Sequence, residues 1–183
     1  MEKEQRNKLL ALGMKIREQA LKAVQAADSG HIGGSFSEAD ILAVLYFDKM
    51  NIDPKNPREE ERDRFVLSKG HASPALYATL ALRGYFPVEE LKTFRNVDSD
   101  LSGHVEMTKV RGVDMSAGSL GQGLSAAVGM AVSAQMYKKS YRVYAMVGDG
   151  EIQEGQIWEA VMAAGNYKLD NLMLFVDNNN LQI

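Results

Sequence analysis

Residues 141–177 of the chain read YRVYAMVGDGEIQEGQIWEAVMAAGNYKLDNLMLFVD, and they restrict the possible folds more than any other stretch. Two apolar, partly β-branched runs, YRVYAMV at 141–147 and NLMLFVD at 171–177, bracket EGQIWEAVMAAGNYKL, whose apolar residues recur at helical spacing. That order is a βαβ unit. A crossover of this kind is right-handed and lays its strands parallel, so the residues that follow them, GDG and DNNN, emerge at the same edge of the sheet. The expectation is an α/β fold, a parallel sheet with helices on both faces.

The remaining segments supply the other layers. Leu9, Leu10, Ile16, Leu21 and Val24 give residues 3–27 an amphipathic helical pattern that closes at Gly30. Ser37 before EADILAVLYF predicts an N-cap with an acidic first turn, NIDPKNPREEERD a solvated loop, and RFVLS a short buried strand. In SPALYATLALRG, Ser73 is expected to cap a helix that has Pro74 at its first position and Gly84 as its stop. PVEELKTFRN predicts a short helix, and the polar stretch from Val97 to Gly118 is a loop of a length that points to function. The small residues of LGQGLSAAVGMAVSAQMY suit a helix packed closely on a neighbour.

Composition removes several classes of partner. The 183 residues, 45% hydrophobic and 25% charged, have the size and apolar content of a single domain. A net charge of −3 leaves no basic footprint for nucleic acid or anionic lipid, and the absence of cysteine removes disulfides and thiolate chemistry. The charged start MEKEQRNKLL lacks the apolar segment of a signal peptide, and no run approaches the roughly 20 apolar residues that span a bilayer. A cytoplasmic location without membrane or nucleic-acid partners is the expectation.

At the shared sheet edge, Asp149 of GDG and Asn179 of DNNN both offer hard oxygen ligands. Mg²⁺ takes one or two oxygens from protein carboxylates and leaves the rest to phosphates, carbonyls and water, so one acid and one amide are a reasonable protein share. Gly148 and Gly150 would let backbone N–H groups approach a diphosphate. Each motif alone is an ordinary turn. Their spacing and the strands before them favour a site for Mg-diphosphate. A nicotinamide cofactor is disfavoured, because GSLGQG spaces its glycines differently from the dinucleotide fingerprint and follows no convincing strand.

GDG followed after an interval by paired asparagines resembles thiamine diphosphate enzymes, and LSKGHA, SGHIGG and GSLGQGLSAAVGMA narrow the resemblance to transketolases along almost the whole chain. The resemblance implies a thiamine diphosphate-binding, Rossmann-like fold. It also implies thiamine diphosphate with Mg²⁺, or Ca²⁺ or Mn²⁺ in its place, as cofactors. Asp149, Asn179 and the main-chain carbonyl of Leu181 correspond to metal ligands, Gly150 lies near the diphosphate, and Gly118 and Leu120 belong to the loop that contacts the cofactor. Ser119 stands where relatives often carry proline. Deoxyxylulose-phosphate synthases share GDG but have a loop richer in His, Ser and Thr at this point.

All three histidines, His31, His71 and His104, directly follow glycine, which permits tight turns that aim an imidazole into a cleft. Transketolases use histidines in these motifs around the reacting carbon and the sugar, so the trio is the candidate catalytic set: donors to a developing alkoxide and carriers of protons. His104 is expected toward the sugar hydroxyls, and His31 and His71 nearer the reacting carbon. Ser68 and Lys69, adjacent on a strand, should point to opposite faces and serve as framework. Glu154 and Glu159 lie where related enzymes carry acids near the subunit interface but are expected as solvated helix glutamates, and Trp158 as packing.

The resemblance covers the N-terminal part of a diphosphate-binding domain, a single domain over residues 1–183, with the pyrimidine domain of a complete transketolase absent from the sequence. It implies the N-terminal subunit of a split transketolase, inactive alone. With a complementary C-terminal subunit, in a hetero-oligomer built on a dimer, it would transfer a two-carbon ketol unit between sugars or sugar phosphates. The alternatives are a cofactor-binding subunit without catalysis, or another thiamine diphosphate enzyme such as a synthase or an E1-type component.

Overall fold

A computed structural model describes residues 2–180. Among these residues three strands, β1 (Arg64–Leu67), β2 (Val143–Gly148) and β3 (Leu172–Asp177), form one sheet in the order β1-β2-β3, both pairs parallel. The register sets Leu67 opposite Met146 and Gly148 opposite Asp177, so β2 and β3 end level and β1 ends two residues short of them.

Alternation along the strands divides the interior in two. Phe65, Leu67, Tyr144 and Met146 enter one core, and Val66, Val143, Ala145 and Val147 enter the other. The first core is closed by α1 (Lys3–Ala27), α2 (Ile32–Val44) and α3 (Ser73–Arg83), through residues such as Ile16, Leu42, Leu76 and Leu80. The second is closed by α4 (Gln122–Met136) and α5 (Gly155–Asn166), through Leu124, Ala127, Ile157 and Ala160. Helices thus cover both faces of a parallel sheet, as the βαβ pattern requires. β2 is buried on both sides, whereas Leu174 and Val176 of β3 remain 37% and 45% exposed.

Several local expectations need correction. The first helix closes at Ala27, with Asp28 taking the left-handed conformation expected of a glycine further on. Ser37 does not cap a helix. α2 begins earlier, at Ile32 with His31 at its N-cap, and Gly34 in its first turn lies beside Lys69 and His71. Ser73 opens α3 as its first residue, its hydroxyl donating to the Gly103 carbonyl (2.8 Å) and capping nothing, so Pro74 falls at the second helical position, while Gly84 (φ 100°) stops the helix as expected. PVEELKTFRN forms a 3₁₀ turn over Val88–Thr93. Trp158 is 57% exposed and only donates its Nε1–H to the Ile152 carbonyl, so it is not a packing residue of either core. Glu154 and Glu159 are exposed, as expected.

Candidate active site

Because the strands are parallel, their carboxyl ends deliver three segments to one edge: Ser68-Lys69-Gly70-His71 from β1, Gly148-Asp149-Gly150 from β2 and the 177–180 turn from β3. The last two interlock. The Asp149 N–H donates to the Asp177 carbonyl (3.1 Å), and Asp149 Oδ2 accepts from the Asn180 N–H (2.8 Å). Oδ1 accepts from Gly150 N–H (3.1 Å). Asp149 is therefore fixed by main-chain donors against the turn that carries Asn179. Among the described residues no basic side chain pairs with Asp149, so its charge is held in place without being neutralised. No group of three or more His, Asp or Glu side chains suited to a metal exists among the described residues, so a metal here would draw on one acid and one amide, completed by main chain and ligand oxygens. Leu181 lies outside the described residues.

The two glycine amides behave differently from expectation. The N–H of Gly148 already donates to Glu151 Oε2 (3.1 Å), and that of Gly150 to its own neighbour Asp149. What Gly148 offers a ligand is room: a Cβ there would meet nothing closer than 3.7 Å, the Lys69 Cδ.

Beside this turn stands a buried charge cluster that the sequence did not reveal. Lys69 Nζ donates to Asp177 Oδ2 (2.6 Å) and to the Gly34 carbonyl (2.9 Å), and lies 2.9 Å from Glu38 Oε2. Lys69 and Glu38 are 1% and 0% exposed. Burial pushes the Glu38 carboxyl up to about 7 in spite of Lys69. Burial alone would lower Lys69, but Glu38 and Asp177 outweigh it and hold the lysine above its usual value. Asp177 also accepts from Ser37 Oγ (2.5 Å) and from Asn179 Nδ2 (3.4 Å), which turns the amide nitrogen of Asn179 inward. Ser68 and Lys69 diverge as strand alternation demands, Ser68 toward Glu151 and Lys69 toward Glu38.

The histidines converge. The rings of His31 and His71 meet edge to face at 5.2 Å between centroids. His71 is pushed down to about 4, by burial first and then by the positive potential of His31, Lys69 and His104. His104 is lowered too, by burial, His31 and Arg95. The preceding glycines have three separate reasons. Gly30 needs its positive φ of 149°. At Gly70 a Cβ would lie 2.1 Å from the Ala117 carbonyl oxygen, and at Gly103 it would strike Arg95 Nε at 2.5 Å. Only the first is the tight-turn role expected of all three.

The close approach at Gly70 joins the histidines to the loop before α4. Val105 N–H donates to the Gly70 carbonyl (3.3 Å) and Ala117 N–H to the Val105 carbonyl (3.2 Å), and Gly118 has no Cβ where the His104 ring lies 3.1 Å away. Leu120, 39% exposed, follows on the same loop. His71, His104 and Gly118 are thus one neighbourhood, and Asp149 with Asn179 another, set against it by Glu151, whose Oε1 accepts from Ser68 Oγ and Gly121 N–H.

Comparison with known proteins agrees with this fold. The family profile described as transketolase, thiamine diphosphate binding domain, matches residues 10–183. The chain is 53% identical over 168 residues to the 6-deoxy-6-sulfo-D-fructose transketolase subunit SqwG of Clostridium sp. (strain MSTE9), covering 92% of this chain and 61% of that one. It is 47% identical to an apulose-4-phosphate transketolase subunit of Phocaeicola vulgatus, with coverages of 92% and 60%, and 48% identical to Homo sapiens transketolase, with coverages of 91% and 27%. The crystal structure of Campylobacter jejuni transketolase superposes with a TM-score of 0.90 at 39% identity, over 95% of this chain and 28% of that one. A Pichia stipitis transketolase mutant gives 0.89 at 39% identity, over 94% and 27%. The chain therefore spans about three fifths of the split subunits it matches and about a quarter of the undivided enzymes. On sequence and on structure alike, it belongs to the transketolase family, within that family's thiamine diphosphate binding domain.

Proposed function

We propose that the chain serves as the N-terminal, diphosphate-binding part of a split transketolase, moving a two-carbon ketol unit from a ketose to an aldose together with a complementary subunit that supplies the pyrimidine domain. The relatives named as transketolase subunits support a divided enzyme, and a dimer-based hetero-oligomer is the assembly it implies. One relative is named for a sulfo sugar and the other for a sugar phosphate, so sugars bearing an anionic group are the substrate class to test first. In this reading residues 1–183 act as one domain, and the composition supports a cytoplasmic site of action. No helix among the described residues is long and apolar enough to cross a membrane.

Thiamine diphosphate, when bound, supplies a nucleophilic carbon that can hold the migrating two-carbon unit. Asp149 and Asn179, with the Leu181 carbonyl, would hold Mg²⁺, or Ca²⁺ or Mn²⁺. Gly148 and Gly150 would leave space for the diphosphate, and Gly118 and Leu120 would line the cofactor. Two catalytic tasks fall to the histidines. With its proton affinity lowered to about 4, His71 is a neutral imidazole at pH 7, able to donate from one nitrogen and accept at the other. It would therefore stabilise a developing alkoxide by hydrogen bonding and pass its proton on, with His31 at its edge as partner and His104 toward the sugar hydroxyls.

The observation that carries the reading is the interlock of Asp149 with the 177–180 turn beside the paired histidines. The chain mixed with a pyrimidine-domain subunit should show ketol transfer that depends on both thiamine diphosphate and Mg²⁺. Asp149→Ala should abolish it. Transfer that survives this substitution would refute the assignment.

A further inference from the structure

Glu151 follows GDG directly, and nothing proposed above uses it. Its carboxylate is 3% exposed, and no basic side chain pairs with it among the described residues. Burying a carboxylate without a cation is costly unless its oxygens are hydrogen-bonded. Three donors meet that demand, each from a different segment: Ser68 Oγ at 2.5 Å after β1, Gly121 N–H at 2.9 Å where AGSLG enters α4, and Gly148 N–H at 3.1 Å at the end of β2. Charge-assisted bonds of this kind are about twice as strong as neutral ones. Gly123, one helical residue further on, packs so tightly on Ser68 that a Cβ would lie 2.6 Å from the Ser68 Cα. The carboxylate thus spans the short gap between two loops, one carrying Gly118 and Leu120, the other Gly148, Asp149 and Gly150.

We propose that Glu151 is a positioning residue that clamps the AGSLG loop to the GDG turn, so that both meet the diphosphate and its metal in a single arrangement. The inference rests on the thiamine diphosphate reading and deepens it. Two oxygens serve opposite sides, Oε1 toward Ser68 and Gly121, Oε2 toward Gly148. Glu151→Gln keeps the shape but can offer only one oxygen. Its NH₂ must then face a backbone N–H, which forces one loop away.

Two measurements test the clamp. In the ligand-free chain, E151Q should speed amide hydrogen exchange in residues 118–123 and 147–150 together while leaving residues 143–146 of β2 protected. In the complex with the complementary subunit, E151Q should weaken Mg²⁺-dependent thiamine diphosphate binding, read by calorimetry, about 10- to 100-fold, with kcat at saturating cofactor changed less than about threefold. Ser68→Ala, which removes one donor and leaves both loop amides bonded, should lower stability while keeping cofactor affinity within about twofold. If E151Q does not fold, Glu151→Asp, too short to reach both loops, should give the same split. Unchanged exchange and unchanged affinity in E151Q, with wild type binding the cofactor, would overturn the clamp alone. Equal losses of affinity in E151Q and S68A would reduce Glu151 to a stability role and also overturn it. Wild type that binds no thiamine diphosphate would sink the functional reading, and the clamp with it.

Discussion

Replacing Lys69 by methionine should expose how much the fold depends on its buried charges. Lys69 is 1% exposed and is the cation within reach of both Glu38, 0% exposed, and Asp177, 6% exposed. Removing one partner of a buried pair strands the others, which costs about 3 to 5 kcal/mol, far more than a buried pair adds over well-packed apolar side chains. The loss should depend on pH in a definite direction. Glu38 has its folded-state pKa raised from 4.5 to about 7, so the folded state binds more protons than the unfolded state between those values, and stability from this group is present below 4.5 and lost as pH rises through 7. Without Lys69 the carboxyl would be pushed higher still. Lys69→Met should therefore lose the upper end of the range at pH 8.5 and clearly less at pH 5.5, where Glu38 can take up a proton. Urea denaturation at the two pH values measures this. In a double-mutant cycle, Glu38→Gln should recover about 0.5 to 3 kcal/mol of the Lys69→Met loss at pH 8.5. A loss below about 1 kcal/mol at pH 8.5, or one independent of pH, would refute the claim that the cluster is charged and mutually dependent.

Three further outcomes are expected. His71 has its folded-state pKa lowered from 6.5 to about 4, so stability from the neutral imidazole is present above 6.5 and lost as pH falls toward 4, and thermal melts across that window should show a slope that His71→Asn reduces. Gly70→Ala puts a methyl group 2.1 Å from the Ala117 carbonyl oxygen and 2.5 Å from its carbon, atoms of the main chain that cannot rotate away, and should cost about 1 to 3 kcal/mol by denaturant titration and raise exchange at residues 116–118. Leu124→Ala, in the core under α4, should cost about 2 to 5 kcal/mol in the same titration and leave the His31–His71 contact intact.

The sheet was legible because its strands are apolar runs of ordinary strand length separated by glycine-rich turns, and alternation then dictates which face each residue serves. Residues whose partners lie far along the chain were not. Ser37 and Ser73 look like caps because serine usually bonds locally, yet one reaches Asp177 and the other Gly103. Glu38 and Glu151 look like surface charges because most such residues are, and Lys69 was legible only as framework beside Ser68. Only the parallel sheet brings Glu38 of α2 and Asp177 of β3 to the same lysine, and nothing local in EADIL or LSKG announces it. Two of the three Gly-His pairs do meet ring to ring, but the glycine was legible only as a turn former. At Gly70 it is needed because the main chain at Ala117 occupies the space a side chain would fill, while at Gly103 that space holds only the end of the Arg95 side chain.

The strand β2 contributes alternate side chains to both interiors, Tyr144 and Met146 to one, Val143, Ala145 and Val147 to the other. The histidine-bearing segments and Ala117 pack with the first half and α4 with the second, so the candidate site lies on a seam between two bodies joined by a shared plank. Loosening either body must tilt its share of the pocket lip against the other. A lesion deep in the packing, remote from any ligand, would then read out as a misaligned pocket before the molecule as a whole came apart.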